Sequence, residues 1–284
     1  MSHIEVWKSK VRAARAARPA QEEDRWAGFW DEKRSAWFNR FAGKSDRSHT
    51  YRFIEPYVKG QVLEIGPGPG AYTRLLVEKA ERVVAVEPSP FMVQCLRENL
   101  AGCSKLEIVV STIEDYLDRL ESYDLALAAN VLGGIERIDE VLSAVTRHAK
   151  VLAIVMWSNA VTPEWSKAVQ REVLGRAKPD PDMPSNDDLL AVLDELGLAY
   201  EAHRADVPIH TFGQRDEVVD WVLGFFSLPE DRRSNLERVL APFISESEDK
   251  YGLPSGRETQ VVLVRGGQRS RLCAQPFAAK SISA

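Results

Sequence analysis

The stretch that most constrains the chain is Val62-Leu63-Glu64-Ile65-Gly66-Pro67-Gly68-Pro69-Gly70, after which Ala71-Tyr72-Thr73-Arg74-Leu75-Leu76-Val77-Glu78-Lys79-Ala80 resumes apolar residues at helical spacing. An apolar run that breaks into glycines and then takes up a helical period reads as a strand, a tight turn and a helix, the opening of a βαβ unit of the nucleotide-binding type. A ligand belongs at such a turn. Glycine permits positive φ and close approach to the backbone, while the free N–H groups at the helix start favour a negative group such as a carboxylate. The spacing Gly66-x-Gly68-x-Gly70, with Glu64 two residues upstream, departs from the G-x-G-x-x-G of dinucleotide binders. Pro67 and Pro69 also remove backbone donors that a phosphate cradle would use, so the loop suits a ligand with little phosphate.

A second signal follows at the expected distance. Arg82-Val83-Val84-Ala85-Val86-Glu87 reads as a buried parallel strand closing on an acid, and Glu87 lies 21 residues after Gly66. An acid at the second strand tip, ~20 residues beyond the loop, accepts hydrogen bonds from ribose hydroxyls and repels a ribose phosphate. The run Glu64-Ile65-Gly66-Pro67-Gly68-Pro69-Gly70 resembles the first motif, E/D-x-G-x-G-x-G, of the class I S-adenosylmethionine-dependent methyltransferases. Tyr123-Asp124-Leu125-Ala126-Leu127-Ala128-Ala129-Asn130-Val131-Leu132 resembles their fourth, F/Y-D-x-V-x-x-x-x-x-L. The resemblance covers 61–157 and extends to 185–207 and 258–266. It implies an α/β fold with a doubly wound, seven-stranded, mostly parallel sheet, helices on both faces and an antiparallel last strand. It also implies S-adenosylmethionine as cofactor and S-adenosylhomocysteine as the product left behind.

The cofactor residues implied are Glu64, Gly66, Gly68 and Gly70 of the loop, Glu87 with Pro88 after it, and Met92 beside the adenine. Many relatives carry an acid near the end of the third strand for adenine's exocyclic amine, followed by a backbone N–H to the ring. Thr112 stands at that place here, then Ile113 and Glu114. A threonine hydroxyl or Glu114 is thus left to read the base, and the Ile113 N–H is indifferent to its side chain. Asn130 comes at the fourth strand's tip, near the reacting centre, and Tyr51 and Arg52 before the first strand are candidates for the methionine end. Relatives acting on small molecules often continue the fourth motif with histidine, whereas Gly133-Gly134 follows here. Amino-methylating nucleic-acid enzymes carry D/N/S-P-P-Y/F, which Asn130-Val131-Leu132-Gly133 does not match. Where the acceptor must lose a proton, His210 in Val207-Pro208-Ile209-His210-Thr211-Phe212 is the candidate base, and Trp157 at the end of the fifth strand is a candidate for the substrate pocket. No cluster of Asp, Glu and Asn suggests a Mg²⁺ site.

The chain divides, on this reading, into N-terminal helices or a lid over 1–58, a cofactor-binding core over 59–157, an insertion over 158–184, more core over 185–210, a helical insertion or lid over 211–255, the last core strand over 256–267 and a tail over 268–284. Helices are predicted over 4–17 and 21–42, the second carrying Trp26, Phe29, Trp30, Trp37, Phe38 and Phe41 as a stripe that packs on the core or lines a lid over the ligand mouth. Ser89-Pro90 reads as an N-cap with proline in the first turn, and Ser185-Asn186-Asp187-Asp188 caps a helix that Gly197 stops. Residues 211–252 read as two helices, and the tail after Gly267 lacks any period.

Composition excludes several classes. No apolar run approaches the ~20 residues of a membrane span and Met1 to Lys8 lacks the apolar centre of a secretory signal, so the expectation is a cytoplasmic protein without membrane contact. Cys95, Cys103 and Cys273, with no C-x-x-C pair, argue for reduced thiols. The net charge of −5 argues against nucleic acid as a partner, although residues 1–60 hold thirteen Lys/Arg against eight Asp/Glu. The basic run Lys8, Lys10, Arg12, Arg15 and Arg18 is a solvated helix face or a contact for RNA, an anionic lipid or an acidic substrate. The reading that results is a methyltransferase acting on an O, N or C nucleophile of a small molecule. The alternatives are an RNA or protein methyltransferase and a cofactor-binding scaffold without chemistry.

Overall fold

The computed structural model describes residues 1–16, 30–42, 47–158, 163–175, 183–205, 209–247, 250–254 and 258–267. Helices α1 (His3–Ala16), α2 (Glu32–Ala42) and α3 (Ser48–Ile54) precede an alternating run: β1 (Gln61–Ile65), α4 (Thr73–Lys79), β2 (Arg82–Val86), α5 (Pro90–Asn99), β3 (Leu106–Val109), α6 (Ile113–Tyr116), β4 (Tyr123–Ala129), α7 (Ile138–His148) and β5 (Ala149–Ser158). There follow α8 (Glu164–Glu172), α9 (Asn186–Glu195), β6 (Tyr200–Arg204), β7 (Ile209–Phe212), α10 (Arg215–Phe225), α11 (Arg233–Leu240), β8 (Ser245–Ser247), β9 (Lys250–Pro254) and β10 (Glu258–Arg265).

Seven strands form one sheet in the order β3-β2-β1-β4-β5-β10-β6. The first five pair in parallel and β10 runs antiparallel to both β5 and β6, as the resemblance implied. Successive side chains of a strand point to opposite faces, and both faces here are covered. Val62, Val83 and Leu125 enter one cluster with Leu76 and Ile54, while Leu63, Ile65, Val84 and Ala126 enter the other with Leu142 and Leu189. That double burial is why β2 from Val83 to Val86 and β5 from Val151 onward read as apolar runs, and why Glu64 in β1 stands out. Strand order reverses between β1 and β4, and the crevice outside the strand tips at such a switch point is where ligands of open α/β sheets bind.

A second unit packs around Trp165, Phe212, Val218, Val222, Leu236, Leu240 and Leu253. It corrects the expectation of helices alone over 211–252, because α10 and α11 are accompanied by a three-stranded antiparallel sheet in the order β7-β9-β8. These strands are short, all three residues of β8 are exposed, and the sheet is closed by pairing Ile209 with Pro254, so no local period announces it. Boundaries also shift: β3 stops at Val109 and β4 at Ala129, and a 3₁₀ turn at Leu132–Gly134 delays α7 to Ile138. The expected helix over 21–42 is described only from residue 30 onward, and Trp26, Phe29, Arg18 and the tail over 268–284 lie outside the described residues.

Helix α1 buries Trp7, Val11 and Ala14, and the four cations described on it are paired with acids. Trp7 is fully buried with its indole N–H donated to the Ile135 carbonyl at 2.8 Å. Its cations meet acids of α7, α9 and the turn before α7: Lys8 with Asp139 at 3.1 Å, Lys10 with Asp188 at 2.9 Å, and Arg12 and Arg15 with Glu136 at 2.7 and 2.9 Å. No helix among the described residues is long and apolar enough to cross a membrane. Because burial of an aromatic ring outweighs partly exposed ion pairs, Trp7→Ala is expected to cost about 3–5 kcal/mol and Lys8→Ala under about 1 kcal/mol in urea unfolding. Equal losses would mean that α1 is held by charge.

Candidate functional site

The tips of β1 and β2 carry Glu64 and Glu87 into the interior, 2% and 4% exposed. Between them the loop is pinned by two backbone bonds, Gly66 N–H to the Val86 carbonyl at 2.9 Å and Gly70 N–H to the Pro67 carbonyl at 3.1 Å. All three loop glycines have positive φ, yet they differ in what surrounds them. A Cβ on Gly66 would fall 2.6 Å from Val131, and one on Gly70 2.6 Å from Leu96, so these two let the protein close on itself. A Cβ on Gly68, at φ 56°, would among the described residues meet Phe38 at 3.9 Å and the Met92 sulfur at 4.0 Å, both ordinary contacts. The middle glycine is therefore the face a ligand can approach.

The two carboxylates are treated differently by their surroundings. Glu87 accepts the Gly68 N–H on one oxygen and the Ser89 N–H on the other, each at 3.0 Å. Burial pushes its carboxyl up and these two donors pull it back. Glu64 is buried beside the Thr73 hydroxyl, which interacts with its carboxyl, but among the described residues neither Glu64 Oε2 nor Thr73 Oγ1 has a hydrogen bond of full geometry. Burial raises the Glu64 carboxyl to about 7, the Thr73 hydroxyl lowering it in part and Glu87 raising it further. A buried acceptor beside a buried hydroxyl, under a loop with one open face, is a site with polar capacity left over.

The adenine side is built by α5 and α6. The Ser89 hydroxyl accepts the Met92 N–H as the N-cap of α5, with Pro90 next, which is the cap read from the sequence. Met92 is buried and Pro88 half-buried. Thr112 caps α6 by accepting the Asp115 N–H at 3.1 Å, so its hydroxyl oxygen is engaged; Ile113 is buried in the first turn and Glu114 half-buried. Asn130 is exposed at the tip of β4 in the left-handed region, φ 56°, with its N–H on the Val155 carbonyl and its neighbour Val131 against Gly66. An asparagine held there, beside the crevice, is a strained position of the kind that clusters at functional sites.

The remaining candidates lie elsewhere. Tyr51 donates its hydroxyl to the Leu75 carbonyl at 2.9 Å, and burial, with Glu55 and Glu78 nearby, pushes it up to about 12. Arg52 is exposed over the Phe53 ring. His210 belongs to β7 of the small sheet, its ring 4.9 Å from that of Trp221. Trp157 is in β5 by its backbone, and its side chain lies outside the described residues. Sequence reasoning missed Thr73 and Asn99, whose amide donates to the Pro69 carbonyl at 2.8 Å, because a threonine in a first turn and an asparagine at a helix end carry no pattern of their own.

Comparison with known proteins agrees with this geometry. Residues 62–151 match a family described as a methyltransferase domain. A ribosomal RNA small subunit methyltransferase A from Acidobacterium capsulatum is 33% identical over 57% of this chain and 53% of its own length. One from Maricaulis maris is 29% identical over 64% of this chain and 62% of its own. The chain thus spans between about half and three fifths of these two relatives. The fold is shared with the YcgJ protein from Bacillus subtilis, 14% identical with a TM-score of 0.52, covering 78% of this chain and 100% of that one. The relatives overturn two expectations, a small-molecule acceptor and the exclusion of nucleic acid, since they are named for RNA. Net charge misled because it sums the whole chain, whereas binding depends on the surface that faces the partner.

The raised Glu64 carboxyl has a consequence for stability. Its folded value of about 7 exceeds its ordinary 4.5, so its contribution is full below 4.5 and is lost as pH rises through 7. Glu64→Gln is expected to remove a fall of order ~3 kcal/mol between pH 4.5 and 8, read from urea unfolding at a series of pH values. An unchanged slope in the variant would assign the fall to other groups.

Proposed function

We propose that this protein transfers a methyl group from S-adenosylmethionine to RNA, a reading that proceeds from the match of residues 62–151 to a methyltransferase domain. The observation that supports the cofactor half is the buried Glu64 carboxyl beside the Thr73 hydroxyl, neither with a full hydrogen bond among the described residues, beneath a loop whose least obstructed glycine is Gly68. They fit an ammonium and a carboxylate. The acid accepts, the hydroxyl donates, and the N–H groups at the start of α4 favour negative charge. Glu87 fits a ribose diol, and Met92 and the first turn of α6 fit a flat base. The cofactor, when bound, supplies a methyl group already made electrophilic by its sulfonium sulfur.

What falls to the chain is positioning. Holding a nucleophile in line and excluding water can lower a barrier by ~7–11 kcal/mol, and a dedicated base is needed only where the acceptor must lose its proton during transfer. The RNA acceptor is supported by what the relatives are named for and by Asn130. Its exposed carboxamide at the crevice has an oxygen that can accept an N–H from a nucleobase and an amide that can donate to one. A base reached this way must be unstacked, so single-stranded or looped RNA is the acceptor expected.

Full-length protein supplied with methyl-labelled S-adenosylmethionine and ribosomal RNA is expected to label the RNA. Glu87→Ala should weaken S-adenosylmethionine about ten- to a hundredfold by calorimetry, because it removes a charged acceptor. Asn130→Ala should lower kcat about a hundredfold with cofactor affinity unchanged. Cofactor binding without label in any RNA would remove the acceptor reading and keep the cofactor one.

A further inference from the structure

Helix α2 touches both units of the molecule with different sides. Toward the core, the Trp30 carbonyl just before it accepts the Ser89 hydroxyl at 3.1 Å, Phe38 stands over Gly68, and Asn39 accepts the Asn99 amide at 2.7 Å. The same amide donates to the Pro69 carbonyl at 2.8 Å, so Asn99 joins α2 to the glycine loop through one nitrogen. Toward the second unit, Arg34 reaches the Ser227 hydroxyl at 3.4 Å, Arg40 pairs with Asp220 at 2.9 Å, and Phe41 meets Phe212 with ring centroids 6.3 Å apart. Trp37 lies so close on α10 that a Cβ on Gly224 would fall 1.9 Å from its ring. Residues 34, 37 and 41 share a stripe that 40 borders on one side and 38 on the other, and 39 lies further round beyond 38.

We propose, resting on the cofactor reading above, that Phe38 contacts the ligand of the glycine loop, that Asn39 and Asn99 are positioning residues for that loop, and that α2 passes the loop's occupancy to α10. Phe38 and Met92 bound the space over the open glycine, so a molecule lying on Gly68 meets the ring. The relay fixes the Pro69 carbonyl, and with it the peptide between the two glycines that a ligand must span. Because α2 is clamped to α10 at Gly224 and Asp220, a ligand that steadies α2 also steadies α10. Such coupling is reciprocal, so a partner that steadies α10 tightens the cofactor site.

The test uses full-length protein with S-adenosylhomocysteine as the probe, its affinity read by calorimetry and the response by amide hydrogen exchange. Asn39→Ala and Asn99→Asp are each expected to weaken the probe about five- to tenfold, one hydrogen bond's worth, whereas Asn39→Asp keeps the acceptor and stays within about twofold of the parent. Phe38→Ala should weaken it further than Phe38→Leu. The probe should slow exchange at 215–225 as well as at 66–70 in the parent, and at 66–70 alone in Asn39→Ala. Unchanged affinity in Asn39→Ala, or no slowing at 215–225 in the parent, overturns the proposal. Failure of the parent to bind the probe at all overturns instead the cofactor reading on which it rests.

Discussion

The site depends on two carboxylates buried at adjacent strand tips and on the loop bent between them. A buried carboxylate is tolerated only with donors, and Glu87 receives two from the backbone, one of them from the loop's own middle glycine. Glu64 has the Thr73 hydroxyl beside it but no full hydrogen bond to Oε2 among the described residues, and its proton affinity is raised. An unsatisfied buried group costs about 1–3 kcal/mol, so the fold holds in reserve an interaction that a cationic ligand group would complete.

What the sequence made legible was local chemistry. The glycine spacing, the acid at position 87, the Ser89-Pro90 start and the Ser185 cap are each decided within a few residues, and each is found as read. The Ser185 hydroxyl and the Asp188 carboxylate satisfy each other's backbone N–H groups, a pairing that needs no tertiary context. The small sheet was not legible because its strands meet through β7 and β9, which two helices separate. Thr73 and Asn99 were hidden for the same reason, since their significance comes from groups distant in sequence.

Charge shows the limits of counting most clearly. The N-terminal helix reads as a basic surface, yet four of its cations lie on Asp139, Asp188 and Glu136. Of those acids only Asp188 is marked in the sequence, and there as part of a helix cap rather than as a partner of α1. Neutralised pairs project little field beyond a Debye length of ~8–10 Å, so neither the chain's net charge nor the cluster on α1 says where a polyanion would dock. The attachment of α1 is better understood from Trp7, whose ring and N–H are both satisfied within the core.

The aromatic stripe on α2 joins packing to function. A residue that serves as a lid must also be held somewhere, and a helix advances about 100° per residue, so neighbouring positions can serve different masters. Trp37 fills the notch left by Gly224 on α10, while Phe38, the next residue, overhangs Gly68. The two ring centroids are 6.1 Å apart, so the contact with α10 and the contact over the loop are adjacent on one helix. The size of the stripe, which reads as surplus hydrophobicity for a single face, follows from its having two surfaces to cover at once.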